Sequence, residues 1–577
     1  MPDSPTFHIG ITMAGAVSAG AYTAGFMDYL LEALQAWEDK KAENRANEET
    51  ELYDSRIPMH NVLIEAMGGA SAGGMVSVIS ALSTYNKHIP VKEKSYSKTG
   101  NLLYDSWVLL DDEENGKTTF EKMLSNDDLT EATQSLLNFA PIDAIADKVF
   151  EAFNQKENDF EPNFIAKDLR VLVTLCSLKG IPFEIIFNQY KSQHLDAIPS
   201  HRMYEHMIIA HFKKDYEECD ADEFLDFSPE IGKNEFLKKC TKGTGAFPLG
   251  LKPQHFKGEF TKPYIENNIK RNLGREIEQN EQCTIEVKQE ELHFDFTNID
   301  GGTINNEPFQ EVERILIEKH GESNTKHPQF GTLMIDPFPN FYDFENREVK
   351  KKSDFQKTVM KIIPALYSTF REQVKVKRGD SFFVDSYKVM GFPAKRKKTG
   401  KLTDHPPLAC GGLGGFGGFF DIEFRMHDFF LGRDNAKNII RSFFSLEYDK
   451  ANPHYLFKDI TPEAVDFYGF EPRNENGKIY IPIIPDMNYI ADKENGNTNP
   501  FKYYYKEFPK LNESYLNKLE PLITKRIKTM TKLESGNLIN GFLLRSGVKL
   551  FSGRIAKNLT KKVMKEIKAD FEERKMT

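Results

Sequence analysis

The sequence predicts an α/β fold, with a mainly parallel sheet in its first part and a mainly helical C-terminal region. Over the first 345 residues, short apolar runs rich in β-branched residues alternate with segments of helical periodicity. At two places a small-residue turn joins such a run directly to a helix, and good helix formers dominate from about residue 507 onward. Strands that alternate with helices are typical of parallel sheets whose two faces are covered by helices.

The predicted elements follow in order along the chain. The apolar run at residues 7–13 predicts the first strand, a turn at residues 15–20 comes next, and apolar positions as far as Trp37 predict a helix. Residues 61–67 predict a second buried strand, again followed by a glycine-rich turn and a helix. Further strands are predicted at residues 169–178, 291–300 and 331–339.

The chain has 577 residues, which is long enough for two or more domains. We divide it into an α/β domain at residues 7–345 and a mainly helical region of unknown role at residues 346–577. The net charge of −10 offers no general attraction to nucleic acid, so we expect no nucleic-acid partner.

Cysteine usage and hydropathy indicate a cytoplasmic protein. The five cysteines are far apart and form no C-x-x-C pair, so we expect reduced thiols and no metal site. The N-terminus lacks the basic segment of a signal peptide, and no uninterrupted apolar run reaches about 18 residues. We therefore expect no membrane-spanning helix.

Ser71 lies in a G-x-S-x-G pentapeptide that runs from Gly69 to Gly73. A nucleophile elbow needs a strand, a sharp turn that holds the serine, and a helix that begins at once, with glycines where side chains would collide. The predicted strand at residues 61–67 and the apolar helical segment after the turn supply these parts in order. We therefore predict that Ser71 is a nucleophile rather than a packed small residue.

The turn at residues 15–20 contains a second serine, Ser18, with Ala16 where the pentapeptide has its first glycine and with Val17 beside it. This pattern favours a helix cap or a packed small residue for Ser18. A turn between a strand and a helix nevertheless exposes consecutive backbone N–H groups, which an oxyanion hole requires. The N–H groups of Gly15, Ala16 and Val17 are our candidates for those donors.

Asp300, Gly301 and Gly302 follow a predicted strand. Two glycines would let the backbone turn sharply and bring the carboxylate to the C-terminal edge of the sheet, where open α/β sheets build their sites. Taken alone, the tripeptide is more typical of an ordinary Asp-Gly turn.

In combination and order, these three motifs resemble those of the patatin-like phospholipase family over roughly residues 7–345. The stretches "GTGAFPLGLKP" at residues 243–253 and "NNEP" after the Asp-Gly-Gly tripeptide resemble further parts of that family. The resemblance implies a three-layer α/β/α core and a Ser71/Asp300 catalytic dyad without histidine, Asp300 being the general base. It also implies a lipid ester as substrate, peripheral contact with a membrane, and no metal or other cofactor.

The turn at residues 15–20 departs from the family pattern. The family commonly has G-G-G-x-R/K-G there, whereas this chain has "GAVSAG", which keeps the outer glycines and lacks the basic residue. Alanine and valine still carry N–H donors, and we expect them to serve if their φ angles stay negative. We also expect Asp300 in a partly desolvated cleft, because burial raises the pKa of a carboxyl and makes it a stronger base.

Two alternatives stay open. An α/β-hydrolase-type esterase with a Ser/His/Asp triad would place its histidine after the acid, and His427 is the candidate. A non-catalytic lipid-binding protein could retain the same fold. The charged residues around His427 are more typical of interdomain salt bridges and helix caps, and the glycine cluster at residues 411–418 lacks the pattern of a nucleotide-binding loop.

Overall fold

The fold is taken from a computed structural model of the whole chain. The residues that the structure describes are 4–113, 116–130, 133–154, 160–187, 200–228, 230, 232–273, 283–288, 293–321, 328–338, 408–472, 477–494, 508–538 and 542–576. The expected domain boundary near residue 345 and the basic run at residues 395–401 lie outside these residues.

The strands of the described residues form one large mixed sheet and one two-stranded antiparallel pair. The strands of the large sheet are β1 (Thr6–Met13), β2 (Asn61–Gly69), β3 (Ile165–Phe187), β4 (Ser200–Lys213), β5 (Leu225–Asp226), β6 (Gln254–Thr261), β7 (Cys283–Val287), β8 (His293–Asp300) and β9 (Phe330–Ile335). The pair consists of β10 (Ser445–Tyr448) and β11 (Ile479–Pro482).

Helices lie between the strands and dominate the C-terminal region. Those before β9 are α1 (Gly20–Ala46), α2 (Ala72–Ser83), α3 (Leu102–Tyr104), α4 (Thr119–Met123), α5 (Ala140–Asn154), α6 (Glu235–Thr244), α7 (Lys262–Leu273) and α8 (Phe309–His320). Those after it are α9 (Ile422–Ser442), α10 (Pro462–Tyr468), α11 (Met487–Glu494), α12 (Glu513–Leu538) and α13 (Phe542–Glu573).

The predicted α/β class and the helical C-terminal region are confirmed. Strands β9, β1, β2 and β3 lie side by side and are parallel. Beyond them the sheet is mixed: β4, β7 and β8 all run antiparallel to β3, and the short β5 runs parallel to β4. The two predicted strands that precede the small-residue turns, β1 and β2, lie in the middle of the parallel part of the sheet.

One edge of β3 is shared by two strands. Val173 and Leu175 of β3 both pair with β4 on one side; on the other side, Val173 pairs with Gly69 of β2 and Leu175 pairs with Asp300 of β8. Strand β2 is parallel to β3 and β8 is antiparallel to it, so the C-terminal ends of β2 and β8 approach each other. The two β3 residues with which they pair are two positions apart, about 7 Å along the strand.

The C-terminal region packs directly against the first helix. Residues Gly20–Leu34 of α1 are buried on every side, and α9 packs along this helix. At the crossing, a Cβ on Gly25 would collide with the carbonyl of Phe429, and a Cβ on Gly432 would collide with the carbonyl of Tyr22. The two helix backbones are therefore in contact.

Buried ion pairs also hold α9 in place. Three arginines spaced eight residues apart on this helix each bind an acidic residue from another element: Arg425 with Asp112, Arg433 with Glu32, and Arg441 with Asp486. The Asp421 side chain caps the helix by accepting from the Glu423 N–H at 2.9 Å. Most of the charge cluster around His427 is therefore occupied in joining α9 to the rest of the molecule.

Among the described helices, none combines the length and the apolar composition that crossing a bilayer requires.

We expect Gly25→Ala to lower the free energy of unfolding by about 1 to 3 kcal/mol, because the added methyl group forces α1 and α9 apart. The matched control is Gly553→Ala in α13, where an added Cβ meets no atom within 4 Å and alanine should stabilise the helix by up to about 1 kcal/mol. Urea denaturation followed by circular dichroism measures both. Equal midpoints for Gly25→Ala and the wild type would contradict the helix contact.

Candidate active site

Ser71 occupies a strained turn between β2 and α2. Its φ of 52° and ψ of −127° lie in a region that residues other than glycine rarely adopt. Its backbone N–H donates to Thr244 Oγ1 at 2.9 Å. The strand, the sharp turn and the helix expected for a nucleophile elbow are all present around this serine.

The two glycines of the pentapeptide make this turn sterically feasible. A Cβ on Gly69 would collide with the backbone of Gly73, and a Cβ on Gly73 would collide with the carbonyl of Met13 at the end of β1. The end of β1, the end of β2 and the start of α2 thus meet with no room for side chains. This contact places the 15–20 turn, which follows β1, beside Ser71.

Asp300 is the last residue of β8 and is buried, with 2% of its surface exposed. Its backbone N–H donates to the carbonyl of Ala246 at 2.9 Å, and its Oδ1 accepts from the Gly302 N–H at 2.7 Å. Gly301 lies against the backbone of Thr174, where a Cβ would collide. Asp300 is therefore almost fully buried, whereas the sequence-based expectation was a partly desolvated cleft.

Residues 244–246 accept hydrogen bonds from the backbone N–H groups of both candidate catalytic residues. Thr244, at the end of α6, accepts from the Ser71 N–H, and the carbonyl of Ala246 accepts from the Asp300 N–H. Beside them, burial and the charge of Asp300 raise the pKa of the Cys176 thiol to about 12. This neighbouring cysteine therefore stays protonated and is no competing nucleophile.

Gly15 lies against Ser71, since a Cβ on Gly15 would be 2.9 Å from Ser71 Cβ. Its N–H is occupied, because it donates to the carbonyl of Asn306 at 3.1 Å, while Asn306 Nδ2 donates back to the Gly15 carbonyl at 3.3 Å. Of the three donors that we predicted, the N–H groups of Ala16 and Val17 remain. Neither donates to an acceptor within the described part of the chain.

The condition under which both N–H groups were expected to serve, a negative φ, is met at Ala16 and not at Val17. Ala16 has a φ of −149°, whereas Val17 has a φ of 50°. A β-branched residue in the left-handed region is an outlier that persists only where its surroundings impose it. Backbone strain therefore exists on both sides of the site, at Ser71 and at Val17.

A pocket opens beside Ser71 and Val17 and encloses about 800 Å³ of empty space, counting its open mouth. Its walls are almost entirely apolar and come mainly from α2, α5 and the segment after α6. The lining includes Met75, Ile79, Trp107, Leu110, Ile142, Ile145, Ala146, Val149, Phe150, Phe247, Leu251 and Phe419. Lys242 also lines it, and its ammonium group donates to Asp143 at 2.8 Å.

Unusual backbone is concentrated in the wall of this pocket. Val17, Ser71 and Leu110 all have positive φ, and all three line it. Residues 105–109, which lead into Leu110, form a single π-helical turn. Such features cost free energy and cluster at functional sites.

His427 lies elsewhere. Its Nδ1 is 2.7 Å from Asp428 Oδ1, and the two Asp428 oxygens accept from the N–H groups of Ala409 and Cys410. No histidine is among the described residues that line the Ser71 pocket. The contact with Asp428 gives His427 a structural partner, and His427 is not among the residues that line the Ser71 pocket.

One group of described side chains has the composition of a metal site. His8, Glu65 and His320 bring ligand atoms within 4.8 Å of one another. Although burial opposes it, hydrogen bonds from both histidines lower the pKa of Glu65, and the ammonium of Lys319 lies 3.9 Å away. Glu65 is within 4 Å of both histidines and of Lys319, and the cluster lies near the start of β1, away from Ser71.

Sequence reasoning missed the roles of Thr244 and Asn306. Both stand in stretches, "GTGAFPLGLKP" and "NNEP", that resemble parts of the patatin-like pattern. That resemblance was the available signal. Their partners, Ser71 and Gly15, are 173 and 291 residues away, so no local pattern identifies these contacts.

We expect Ser71→Gly to raise the free energy of unfolding by about 1 kcal/mol. Glycine relieves the strained φ, which costs about 1 to 3 kcal/mol, and its larger unfolded-state entropy offsets part of the gain. Ser71→Ala is the matched control, since it removes the hydroxyl but keeps the Cβ and the strain. Thermal and urea unfolding measure both, and a Ser71→Gly protein no more stable than Ser71→Ala would refute the strain.

Comparison with known proteins adds one relative. No family model matches the chain. An uncharacterized protein of Sinorhizobium fredii (strain NBRC 101917 / NGR234), y4iI, is 28% identical over 532 residues, which cover 83% of this chain and 71% of that protein. A match that covers 83% of the chain is longer than the predicted α/β domain at residues 7–345, so the similarity extends into the C-terminal region.

Proposed function

We propose that the protein is a serine acyl hydrolase that cleaves ester bonds of lipids, of the phospholipase A or lipid acyl hydrolase type. The observation that carries the proposal is the strained Ser71 elbow at the wall of an apolar pocket.

In the proposed first half of the reaction, Asp300 accepts the proton of the Ser71 hydroxyl while Ser71 Oγ attacks the ester carbonyl. The negative charge that develops on the carbonyl oxygen is stabilised by the N–H groups of Ala16 and Val17. Collapse of the tetrahedral intermediate breaks the ester C–O bond. Asp300 returns the proton to the departing alcohol, and an acyl-Ser71 enzyme remains.

In the second half, Asp300 accepts a proton from a water molecule, and the resulting hydroxide attacks the acyl-enzyme. The same two N–H donors stabilise the second tetrahedral intermediate. The fatty acid leaves as Ser71 recovers its proton from Asp300. No metal is required at any step.

The apolar lining supports an acyl chain as the group that enters the pocket. Burial of each methylene contributes about 0.8 kcal/mol, so a long chain gains much of its binding free energy there.

Exposed leucines beside the pocket support peripheral contact with a membrane. Leu249 is 80% exposed and lies between Phe247 and Leu251, which both line the pocket. Leu136 is 56% exposed, and its N–H donates to the Leu249 carbonyl at 2.8 Å. Two exposed leucines near the opening would enter the interfacial layer of a bilayer as lipid enters the pocket.

We expect a fluorophosphonate probe to label the wild-type protein and to leave Ser71→Ala unlabelled, because the probe reacts with an activated serine. Hydrolysis of a panel of phospholipids, monoacylglycerols and p-nitrophenyl esters should be lost in the same variant. Ser80→Ala is the matched control, since Ser80 is a buried serine of α2 that does not line the pocket. No labelling of the wild type, with every ester intact, would favour the non-catalytic lipid-binding alternative.

The base is identified by comparing Asp300→Ala with His427→Ala. The Ser/Asp dyad requires that Asp300→Ala lose activity and that His427→Ala, if folded, retain it. The reverse result would favour the α/β-hydrolase triad.

We expect Ala146→Phe to lower kcat/KM for long-chain esters by at least about tenfold while changing that for p-nitrophenyl acetate by less than about twofold. The new ring would fill the pocket at α5 and exclude methylenes worth about 0.8 kcal/mol each. Ala144→Phe is the control on the same helix, because Ala144 does not line the pocket. Equal losses on short and long esters would show that the chain binds elsewhere.

A further inference from the structure

The C-terminal glycine turn, residues 411–418, packs directly on the 15–20 turn. Ser18 is buried, and its hydroxyl donates to the carbonyl of Gly415 and accepts from the Gly418 N–H at 2.9 Å. These bonds join residues about 400 positions apart in the sequence. Ser18 is therefore neither a nucleophile nor a simple helix cap, and it connects two turns.

The contact is close at the residues that carry the candidate oxyanion donors. A Cβ on Gly415 would lie 3.0 Å from the Ala16 carbonyl oxygen and 3.2 Å from Val17 Cβ. A Cβ on Gly418 would lie 2.7 Å from Ser18 Oγ. Only a backbone without side chains at these two places can approach the 15–20 turn so closely.

The glycine turn is itself held in an unusual conformation. Three consecutive residues, Leu413, Gly414 and Gly415, have φ values of 52°, 67° and 102°. The Leu413 N–H donates to Asp570 Oδ2 at 2.9 Å, and the same oxygen accepts from Arg574 Nε at 3.0 Å. A carboxylate on the last helix, α13, thus holds the turn that contacts the site.

Val17 needs an external support of this kind. Its positive φ is unfavourable for a valine, so this backbone conformation persists only where the surroundings impose it. The patatin-like pattern has glycines at this point, which adopt such a conformation without strain. This chain has valine there and a second backbone segment packed against it.

We infer that the C-terminal glycine turn sets the conformation of the oxyanion donors, with Ser18 and Asp570 as positioning residues that act through that turn. The inference rests on the proposed function for its kinetic consequence. Its structural part, the dependence of the 15–20 backbone on residues 411–418 and 570, is independent of any activity.

The kinetic test measures kcat and KM for a p-nitrophenyl ester with the full-length chain. Ser18→Ala and Asp570→Ala should lower kcat about 10- to 100-fold with KM changed less than about threefold, since loss of one oxyanion donor costs about 100- to 1,000-fold. Ser80→Ala controls for loss of a buried hydroxyl. Arg574→Ala controls for Asp570→Ala, because it removes the ion pair and keeps the bond to Leu413.

The structural test is hydrogen–deuterium exchange of the amides in residues 14–20, which needs no substrate. Exchange should be faster in Ser18→Ala and Asp570→Ala and unchanged in Ser80→Ala and Arg574→Ala. Unchanged exchange in the first two variants, or kcat within twofold of the wild type in an active enzyme, would overturn the inference. If the wild type cleaves no ester, the proposed function fails, and the exchange result alone decides the inference.

Discussion

The pairing of β2 and β8 with the same edge of β3 is the constraint on which the candidate site depends. Hydrogen bonds of a single strand fix where each of these strands ends, so the positions of Ser71 and Asp300 follow from the sheet and not from flexible loops. The segment after α6 adds a bond to the backbone N–H of each residue. If Ser71 and Asp300 are the nucleophile and base that we propose, groups placed in this way need little reorganisation before reaction.

Each of the two strained residues at the site, Ser71 and Val17, packs closely against backbone from another part of the structure. Ser71 is held by the crowded backbones of Gly69, Gly73 and Met13, while Val17 is held by the C-terminal glycine turn. Each support comes from a different part of the chain. The C-terminal helices, whose role the sequence left unassigned, share one hydrophobic core with the sheet and with α1.

The sequence predicted most strongly what depends on neighbouring residues. The strand, turn and helix around Ser71 were recognisable because apolar runs and glycines stand next to each other, and the α/β class followed from the same alternation. The Asp300 tripeptide was ambiguous by itself and became informative only in combination with the other motifs. Its burial, which the sequence-based expectation included, is set by elements that lie far away.

Contacts between distant segments could not be predicted from the sequence, because tertiary packing determines them and no local pattern encodes them. Gly15 was a candidate oxyanion donor, yet Asn306 accepts from its N–H across 291 residues of sequence. A negative φ at Val17 was a condition of the sequence-based hypothesis, and the observed φ of 50° is set by tertiary packing and not by the intrinsic preference of valine. The glycine cluster at residues 411–418 matches no ligand-binding motif in the sequence. In the structure it packs against the 15–20 turn of the same chain.

The three buried arginines of α9 have a consequence for the helix that carries them. If α9 moved along α1 by one turn, each guanidinium would lose its carboxylate, and an unpaired buried charge costs about 3 to 5 kcal/mol. Arg425 adds bonds to the carbonyls of Val108 and Gly418, which lie in a wall segment of the pocket and in the glycine turn. These ion pairs fix the register of α9 against α1. Any change in the shape of the pocket at this wall therefore takes place beside a helix that does not slide.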